Sequence, residues 1–313
     1  MMTIDTGAAL PSGQQFEIQH GALRAIITEV GAGLRSFSLG GRELLDTYEP
    51  REMASGGRGE VLLPWPGRIE DGEYTFADTR QHLPLSEPAL HNAIHGLTRW
   101  ANWRAVSHEA HSLTMELALH AQNGYPFVLL LQERYTLTSR GLEVETVARN
   151  IGSTPLPYGA GHHPYFTVGT ESVNAAVLHL PARSYFCANE RSIPIGPATS
   201  VEGTPYDFRA PQPIGETMLD TGYTDLIPDA DGWTRVTLSA LAGHPGITVF
   251  MDAAHQVVQV FTGDTVGDVA RRRKGVAIEP YTCAANAFNN GYGLRALQPG
   301  GSFASVWGIA ATL

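Results

Sequence analysis

The sequence predicts an all-β protein, specifically a large antiparallel β-sandwich. Strand-like alternation of apolar and polar residues recurs along almost the whole chain. Glycine (34) and proline (20) are spread among the 313 residues, where they separate many short segments and do not form one linker. No segment keeps an apolar stripe at helical period over three or more turns. Roughly a dozen or more strands would make a single open sheet curl or split, so we expect two stacked sheets.

The predicted strands follow one another through short turns. The first two are 16–19, which alternates strictly, and 23–30, which is rich in β-branched residues. Segments 113–119 and 127–137 are expected to be long neighbours around a turn at Asn123-Gly124. The remaining predicted strands are 142–148, 234–238, 247–251, 257–261 and 303–312. Further turn signals are Gly40-Gly41, Asp71-Gly72, Asn150-Ile151-Gly152 and Asp231-Gly232.

Composition limits the classes to which the protein can belong. Apolar residues make up 43% of the chain, enough for a large core, and all-β domains often reach this size, so we expect residues 1–313 to form one domain. The formal net charge of −10 argues against nucleic acid or an anionic membrane as the main partner. Two cysteines are few for a disulfide-stapled secreted domain. Residues 1–15 lack a signal-peptide pattern and no apolar run approaches the length of a bilayer span, so we expect a soluble cytoplasmic protein.

One carboxylate interrupts an apolar run near the end of the chain, VAIEPYT at 276–282. Because Pro280 favours an extended residue before it, Glu279 is expected to point to the face opposite Ile278, into a cavity. Partial desolvation there would raise the pKa of Glu279 and suit it to act as a base. The alternative is a carboxylate at a strand end that caps a loop amide.

A pair of histidines occurs in GHHPYF at 161–166. On an extended chain His162 and His163 face opposite ways, so they are poor joint ligands for a metal and only one can face a given cavity. His163 is the better candidate for proton transfer, because Tyr165 would lie on the same face. The alternative is a hydrogen-bonded structural histidine.

Other residues with reactive side chains give weaker signals. His91 and His95 have the spacing of zinc ligands on a helix, but the acidic residue of that motif is missing and Gly96 follows at once, so no metal site is predicted. Cys283 has no visible base beside it and is expected to be a buried thiol. The basic run 271–274 is isolated in an acidic protein and is expected to be a solvated loop.

Arg68 lies in a proline-framed aromatic stretch, LPWPGRI at 63–69. Its guanidinium offers donors in a rigid fork that can grip vicinal hydroxyls or a carboxylate, whereas the alternative is a surface ion pair. Trp65 and Tyr165 can offer flat apolar faces to a sugar ring, although aromatic residues more often belong to the core.

Four motifs, taken in order, resemble the aldose 1-epimerases, which are also called mutarotases. These motifs are PGRI at 66–69, IHG at 94–96, HPYF at 163–166, and IEP at 278–280 with Asn286. Weaker support comes from GTPYDF at 203–208, LDTGY at 219–223 and FTGD at 261–264. The motifs follow the family's order from about residue 60 to residue 290. The resemblance implies the galactose mutarotase-like β-supersandwich, in agreement with the strand pattern.

The resemblance also implies the roles of individual residues. They are Glu279 as catalytic base, His163 as catalytic acid, His95 near the ring oxygen, and Arg68 and Asp220 as residues that hold the sugar hydroxyls. Asp225 lies close by in a similar setting, so either aspartate could contact the sugar. The implied activity is interconversion of the α and β anomers of a free aldose by acid–base ring opening and closure. It requires no cofactor and no metal.

The identity of the sugar stays open at this point. WPG at 65–67 and TCAA at 282–285 depart from the galactose-type pattern and are closer to the bacterial branch that includes sulfosugar mutarotases. A hexose-6-phosphate or sulfosugar mutarotase would need basic side chains at the pocket rim, which Arg99 or residues 271–274 could supply. A glycoside hydrolase is disfavoured because it usually needs two facing carboxylates. A non-catalytic sugar-binding protein on the same fold is a further alternative. The oligomeric state, and whether loop 265–274 closes over the site, are not determined by the sequence.

Overall fold

Antiparallel strands make up most of the regular structure in residues 9–241 and 246–311, which are the residues that the computed structural model describes. The strands are β1 (Gln15–His20), β2 (Leu23–Thr28), β3 (Leu34–Leu39), β4 (Arg42–Glu43), β5 (Val61–Leu62), β6 (Arg68–Glu70), β7 (Glu73–Phe76), β8 (Thr79–His82), β9 (Asn92–Ile94), β10 (Arg104–His108), β11 (Ser112–Leu119), β12 (Leu129–Thr138), β13 (Gly141–Asn150), β14 (Leu156–Tyr158), β15 (Gly161–His162), β16 (Tyr165–Phe166), β17 (Val177–His179), β18 (Ala182–Tyr185), β19 (Thr199–Ser200), β20 (Gln212–Pro213), β21 (Asp220–Leu226), β22 (Thr234–Ser239), β23 (Gly246–Met251), β24 (Val257–Phe261), β25 (Val276–Tyr281), β26 (Arg295–Leu297) and β27 (Ser302–Ala311). The helical elements are α1 (Ala287–Asn290) and 3₁₀ turns at Pro88–Leu90, Val173–Ala175 and Val269–Arg271. Within the ranges given above, no helix is long and apolar enough to cross a membrane.

Two large sheets organise the described part of the chain. The first has nine strands in the order β10-β11-β12-β13-β27-β23-β22-β17-β20. The second has eight strands in the order β19-β18-β21-β24-β25-β15-β5, with β16 also paired to β25. A four-stranded sheet, β1 to β4, and the pairs β14–β26, β6–β9 and β7–β8 complete the strand pairing.

The inner faces of the two large sheets share one buried apolar cluster. Leu131 and Trp307 contribute to it from the nine-stranded sheet, and Val260 and Ile278 from the eight-stranded sheet. Burial alternates along strands such as β22 and β23, because successive side chains point to opposite faces. Strand β25 is instead buried along its whole length, on both faces. Both faces of β25 are therefore covered, although only one of them packs in the apolar core.

The predicted fold class is confirmed. Segments 113–119 and 127–137 pair as β11 and β12, with Leu119 opposite Leu129, as expected from the turn between them. The strand predicted at 23–30 ends earlier, at Thr28, and Val30 makes only an isolated bridge with Asn102. The strand predicted at 303–312 is β27, and residue 312 lies outside the described residues.

Candidate active site

One face of the eight-stranded sheet forms the floor of a cavity of about 500 Å³. On β25, Ile278 belongs to the apolar core whereas Glu279 lines the cavity, as alternation along a strand requires. The strand register places Gln259 of β24 opposite Glu279, and Gly222 of β21 opposite Gln259. Both neighbours also line the cavity, so three adjacent strands present one row of residues to it. A cavity of this size is typical of small-molecule sites.

Glu279 is almost fully buried, with 1% of its surface exposed. Its Oε2 accepts a hydrogen bond of 2.5 Å from the hydroxyl of Tyr281 and lies 3.5 Å from Nε2 of His163. Burial raises the pKa of Glu279 well above 4.5, and the charge of Asp220 adds to the shift. The Tyr281 hydrogen bond and the charge of Arg68 lower the pKa and so oppose that effect.

His163 is held in place by its neighbours. Its ring stacks on the ring of Tyr165, with centroids 4.9 Å apart and planes 14° from parallel. Gly57, at a φ of +82°, approaches the imidazole so closely that an added Cβ would lie 2.5 Å from Cδ2 of His163. Burial lowers the pKa of His163 to about 3. Glu279 and His163 are therefore a buried carboxyl and imidazole within reach of one small ligand.

His162 faces away from the cavity, as the alternation predicts. Its Nε2 lies 3.2 Å from Oε2 of Glu133, and its ring is 5.0 Å from that of Trp307. Both partners belong to the nine-stranded sheet, so His162 lies between the two sheets. It follows that only His163 of this pair is available to a ligand.

His95 lies next to His163, with ring centroids 5.3 Å apart. The backbone N–H of Gly67 donates to Nδ1 of His95 at 3.2 Å, so the ring proton of the neutral imidazole is on Nε2. Burial lowers the pKa of His95 well below 6.5, which keeps the ring neutral near pH 7. His91 is separate from this group, because it is exposed and its ring contacts Asp71.

Arg68 and Asp220 meet at the cavity wall. Arg68 donates two hydrogen bonds to Glu87, of 2.9 and 3.0 Å, and its Nη1 lies 3.6 Å from Oδ2 of Asp220. Gln259 donates to Oδ1 of Asp220 at 2.7 Å. Asp220 lines the cavity, whereas Asp225 is exposed on the same strand and is not among the lining residues. The structure thus brings Asp220, and not Asp225, to Arg68.

The two predicted aromatic platforms have different positions. Tyr165 lines the cavity, but His163 covers one face of its ring, and its hydroxyl donates to the carbonyl of Gly56 at 2.8 Å. Trp65 does not line the cavity: it is 2% exposed and packs in the core against Tyr125 and Phe288. Our expectation that Trp65 lies beside a ligand is not met, because the proline-framed turn directs its indole into the core.

Several cavity residues were not identified from the sequence, namely Tyr281, Gln259, Glu87 and Glu60, whereas Arg99 was considered as a basic residue at the pocket rim. Tyr281 could have been found, because a residue two positions after Glu279 on a strand shares its face. Gln259 reaches the cavity through the register of β24 with β25, and Glu60 and Glu87 reach it from segments outside the named strands. No local sequence pattern reveals either kind of placement.

The loop at 265–274 contributes its first part to the cavity, through Thr265, Val266 and Gly267. Its basic residues have other partners: Arg271 contacts Asp46, and Arg273 contacts Asp264. These arginines are not among the residues that line the cavity, whereas Arg99 is.

Comparison with known proteins identifies the family to which the chain belongs. Residues 14–309 match the family model described as aldose 1-epimerase. The chain is 34% identical over 292 residues to the uncharacterized protein YihR of Escherichia coli K12, covering 92% of this chain and 90% of YihR. It is 25% identical over 233 residues to human galactose mutarotase, covering 67% of this chain and 66% of that protein. The crystal structure of the GalM/aldose epimerase homologue from C. elegans has the same fold, with a TM-score of 0.84 at 18% identity, covering 96% of this chain and 98% of that one. Because the family model matches nearly the whole chain, the protein belongs to the aldose 1-epimerase family.

Proposed function

We propose that this protein is a mutarotase, which interconverts the α and β anomers of a free aldose with Glu279 as base and His163 as acid. The observation that carries the proposal is the 3.5 Å separation of His163 Nε2 and Glu279 Oε2 at the floor of a polar cavity. Ring opening removes a proton from O1 of the sugar and adds one to the ring oxygen. Both oxygens are bonded to C1, so the acid and the base that serve them must also be close together.

The proton transfers balance without a further reactant. Glu279 takes the proton of O1 while His163 gives a proton to the ring oxygen, and the bond between C1 and that oxygen breaks to leave the open-chain aldehyde. Rotation about C1–C2 presents the other face of the carbonyl to the C5 hydroxyl. The reverse transfers then close the ring as the other anomer. Every proton is returned, so the chemistry itself calls for no cofactor.

The burial of the two catalytic groups suits this cycle. Burial raises the pKa of Glu279 and lowers that of His163, so the free pair favours the uncharged form, with its shared proton on Glu279. Ring opening by the ionised pair produces the same uncharged form. Since both forms hold one proton, no proton has to enter from solvent during a turnover. Burial therefore favours the form that holds the open-chain sugar, while the ionised form that begins the cycle is the less populated of the two.

The surrounding polar groups would hold the sugar. Arg68 is fixed by Glu87 and keeps donor capacity next to Asp220, a pairing suited to vicinal hydroxyls. The Nε2–H of His95 provides a neutral donor beside His163. Asp220 and Glu87 are both engaged with Arg68, whereas Glu279 faces a histidine, which supports mutarotation over glycoside hydrolysis.

Anomer exchange followed by NMR on the purified protein tests the proposal. We expect accelerated exchange with at least one of glucose, galactose, a hexose 6-phosphate and a sulfosugar. Glu279→Gln and His163→Asn should each lower kcat by about 10²–10⁴-fold, and Glu202→Gln, an exposed glutamate, is the matched control. Near-normal turnover in either active-site variant would refute the assignment. Sugar binding without faster exchange in the unmodified protein would favour a non-catalytic sugar-binding role.

A sugar with an anionic group is the second candidate substrate, because Arg99 lines the cavity beside His95. Its Nη1 donates to Oε2 of Glu60 at 3.2 Å and its Nη2 donates to the carbonyl of Ile94 at 3.4 Å. Its guanidinium lies 4.3 Å from the ring centroid of Trp100. By the family resemblance His95 is near the ring oxygen, so Arg99 would be on the side of the C5 substituent, where a hexose 6-phosphate or a sulfosugar carries its charge. For such a substrate, Arg99→Gln should lower the ratio of kcat/KM for anionic to neutral sugars. An unchanged ratio would exclude this use of Arg99.

A further inference from the structure

We propose that Tyr281 is a positioning residue that holds Oε2 of Glu279 and so leaves Oε1 as the oxygen that accepts the proton from the sugar. The inference rests on the proposed function, in which Glu279 is the base. It assigns a role to a residue that neither the sequence motifs nor the mechanism above uses.

The two carboxylate oxygens of Glu279 make different contacts. Oε2 accepts the 2.5 Å hydrogen bond from Tyr281 and has His163 Nε2 at 3.5 Å. Oε1 accepts no hydrogen bond from the residues that the structure describes, although Glu279 lines the cavity. A distance of 2.5 Å is typical of a hydroxyl that donates to an ionised carboxylate. The free oxygen is therefore the one that can meet a ligand.

Apolar packing fixes the position of the Tyr281 hydroxyl. The ring of Tyr281 is 2% exposed and belongs to a small buried cluster with Leu62, Val257 and Ala284. Gly161 lies opposite Tyr281 in the sheet, and a Cβ there would be 2.6 Å from Cδ1 of the ring. The absence of a side chain at Gly161 thus provides the space for the phenol. The hydroxyl is held at its place by the fold and does not depend on a ligand.

The hydrogen bond acts on a carboxylate with few other stabilising contacts. Burial and, to a smaller extent, the charge of Asp220 favour its protonated form, and Arg68 opposes them only through its charge. The other ionisable groups facing Glu279 are His163 and Tyr165. By donating to Oε2, Tyr281 increases the fraction of Glu279 that is ionised and able to act as base. Tyr281 keeps its own proton throughout, and the proton from O1 of the sugar goes to Oε1.

Tyr281→Phe removes the hydroxyl and retains the packed ring. If the proposal holds, the pKa of Glu279 rises in this variant, so the alkaline limb of the pH profile of kcat/KM moves to higher pH. At the same time the plateau falls by about tenfold for each unit of that rise, because less of the pair is in its ionised form. At pH values above the alkaline limbs of both profiles, the two enzymes should have the same kcat/KM, since Glu279 is then ionised in each. Tyr135→Phe is the control, because it removes a buried hydroxyl that donates to the carbonyl of Ala32, outside the cavity lining.

A second measurement separates this inference from the proposed function. The carboxyl stretch of Glu279, identified by infrared difference spectra against Glu279→Gln, gives its pKa without any assay of activity. A higher pKa in Tyr281→Phe than in the unmodified protein supports the inference even if no tested sugar is turned over. An unchanged pKa and an unchanged alkaline limb would overturn it, while activity lost in Glu279→Gln alone would leave the mutarotase proposal intact.

Discussion

The buried imidazole of His163 should make the protein less stable in acid, and His163→Asn should remove that effect. In the unfolded chain a histidine titrates near pH 6.5, whereas burial lowers the pKa of His163 in the folded protein to about 3. Between these values the unfolded state binds a proton that the folded state does not. The contribution to stability is therefore fully present above pH 6.5 and is lost as the pH falls toward 3.

The magnitude follows from the two pKa values. At pH 5 the histidine of the unfolded chain is mostly protonated, because the pH is 1.5 units below its pKa of 6.5, while folded His163 is still neutral. The loss in the free energy of unfolding relative to pH 7.5 is therefore about 2 kcal/mol. Urea unfolding of the unmodified protein and of His163→Asn, at several pH values from 7.5 to 5, measures the difference directly. We expect the free energy of unfolding of the variant to gain about 2 kcal/mol relative to the unmodified protein over this range.

His120→Asn is the matched control, since His120 is exposed on the surface, and its curve should run parallel to that of the unmodified protein. If the difference between His163→Asn and the unmodified protein is the same at pH 7.5 and pH 5, the imidazole is not held neutral by burial. Glu279 and His163 would then not form an uncharged pair in the free protein.

Three further predictions concern neighbouring parts of the site. Burial raises the pKa of Glu279, so its contribution to stability is present below pH 4.5 and is lost as the pH rises toward the folded pKa. Urea unfolding should therefore show Glu279→Gln to be more stable than the unmodified protein at pH 7.5. This gain in stability should disappear below pH 4.5. Gly57→Ala should lower the free energy of unfolding by roughly 1–2 kcal/mol because of its left-handed backbone, and it should lower kcat by displacing His163. An unchanged kcat would mean that Gly57 does not hold the imidazole in place. Asp220→Asn should raise KM for the sugar whereas Asp225→Asn should not, and steady-state kinetics giving the reverse would mean that the second aspartate contacts the sugar.

Much of the site could be predicted from short stretches of sequence. Glu279 and Ile278 are neighbours on an extended strand, so alternation alone predicts that they face opposite sides, and the same holds for His162 and His163. These predictions concern residues adjacent in the chain, where geometry depends on the backbone only. The same reasoning, carried two residues further, would have identified Tyr281.

Local patterns could not predict which side of an element is covered by the core. Trp65 stands three residues from Arg68 in one turn, yet its indole packs against Phe288 while Arg68 reaches the cavity. Asp220 and Asp225 lie on one strand in similar surroundings, and only the pairing of that strand with β24 brings Asp220 to Gln259. Sequence spacing contains no information about such contacts between distant segments.

The sequence by itself therefore determined the all-β class and the positions of the longer strands along the chain, because both depend on periodicity. The acid and base that we propose follow from the resemblance of its motifs to those of the family. Only the tertiary structure decided that Glu279 and His163 lie 3.5 Å apart in one cavity, and that Tyr281 holds one oxygen of the carboxylate. The physical reason is that burial and strand register bring together residues far apart in the chain. The same burial raises the pKa of Glu279 and lowers that of His163.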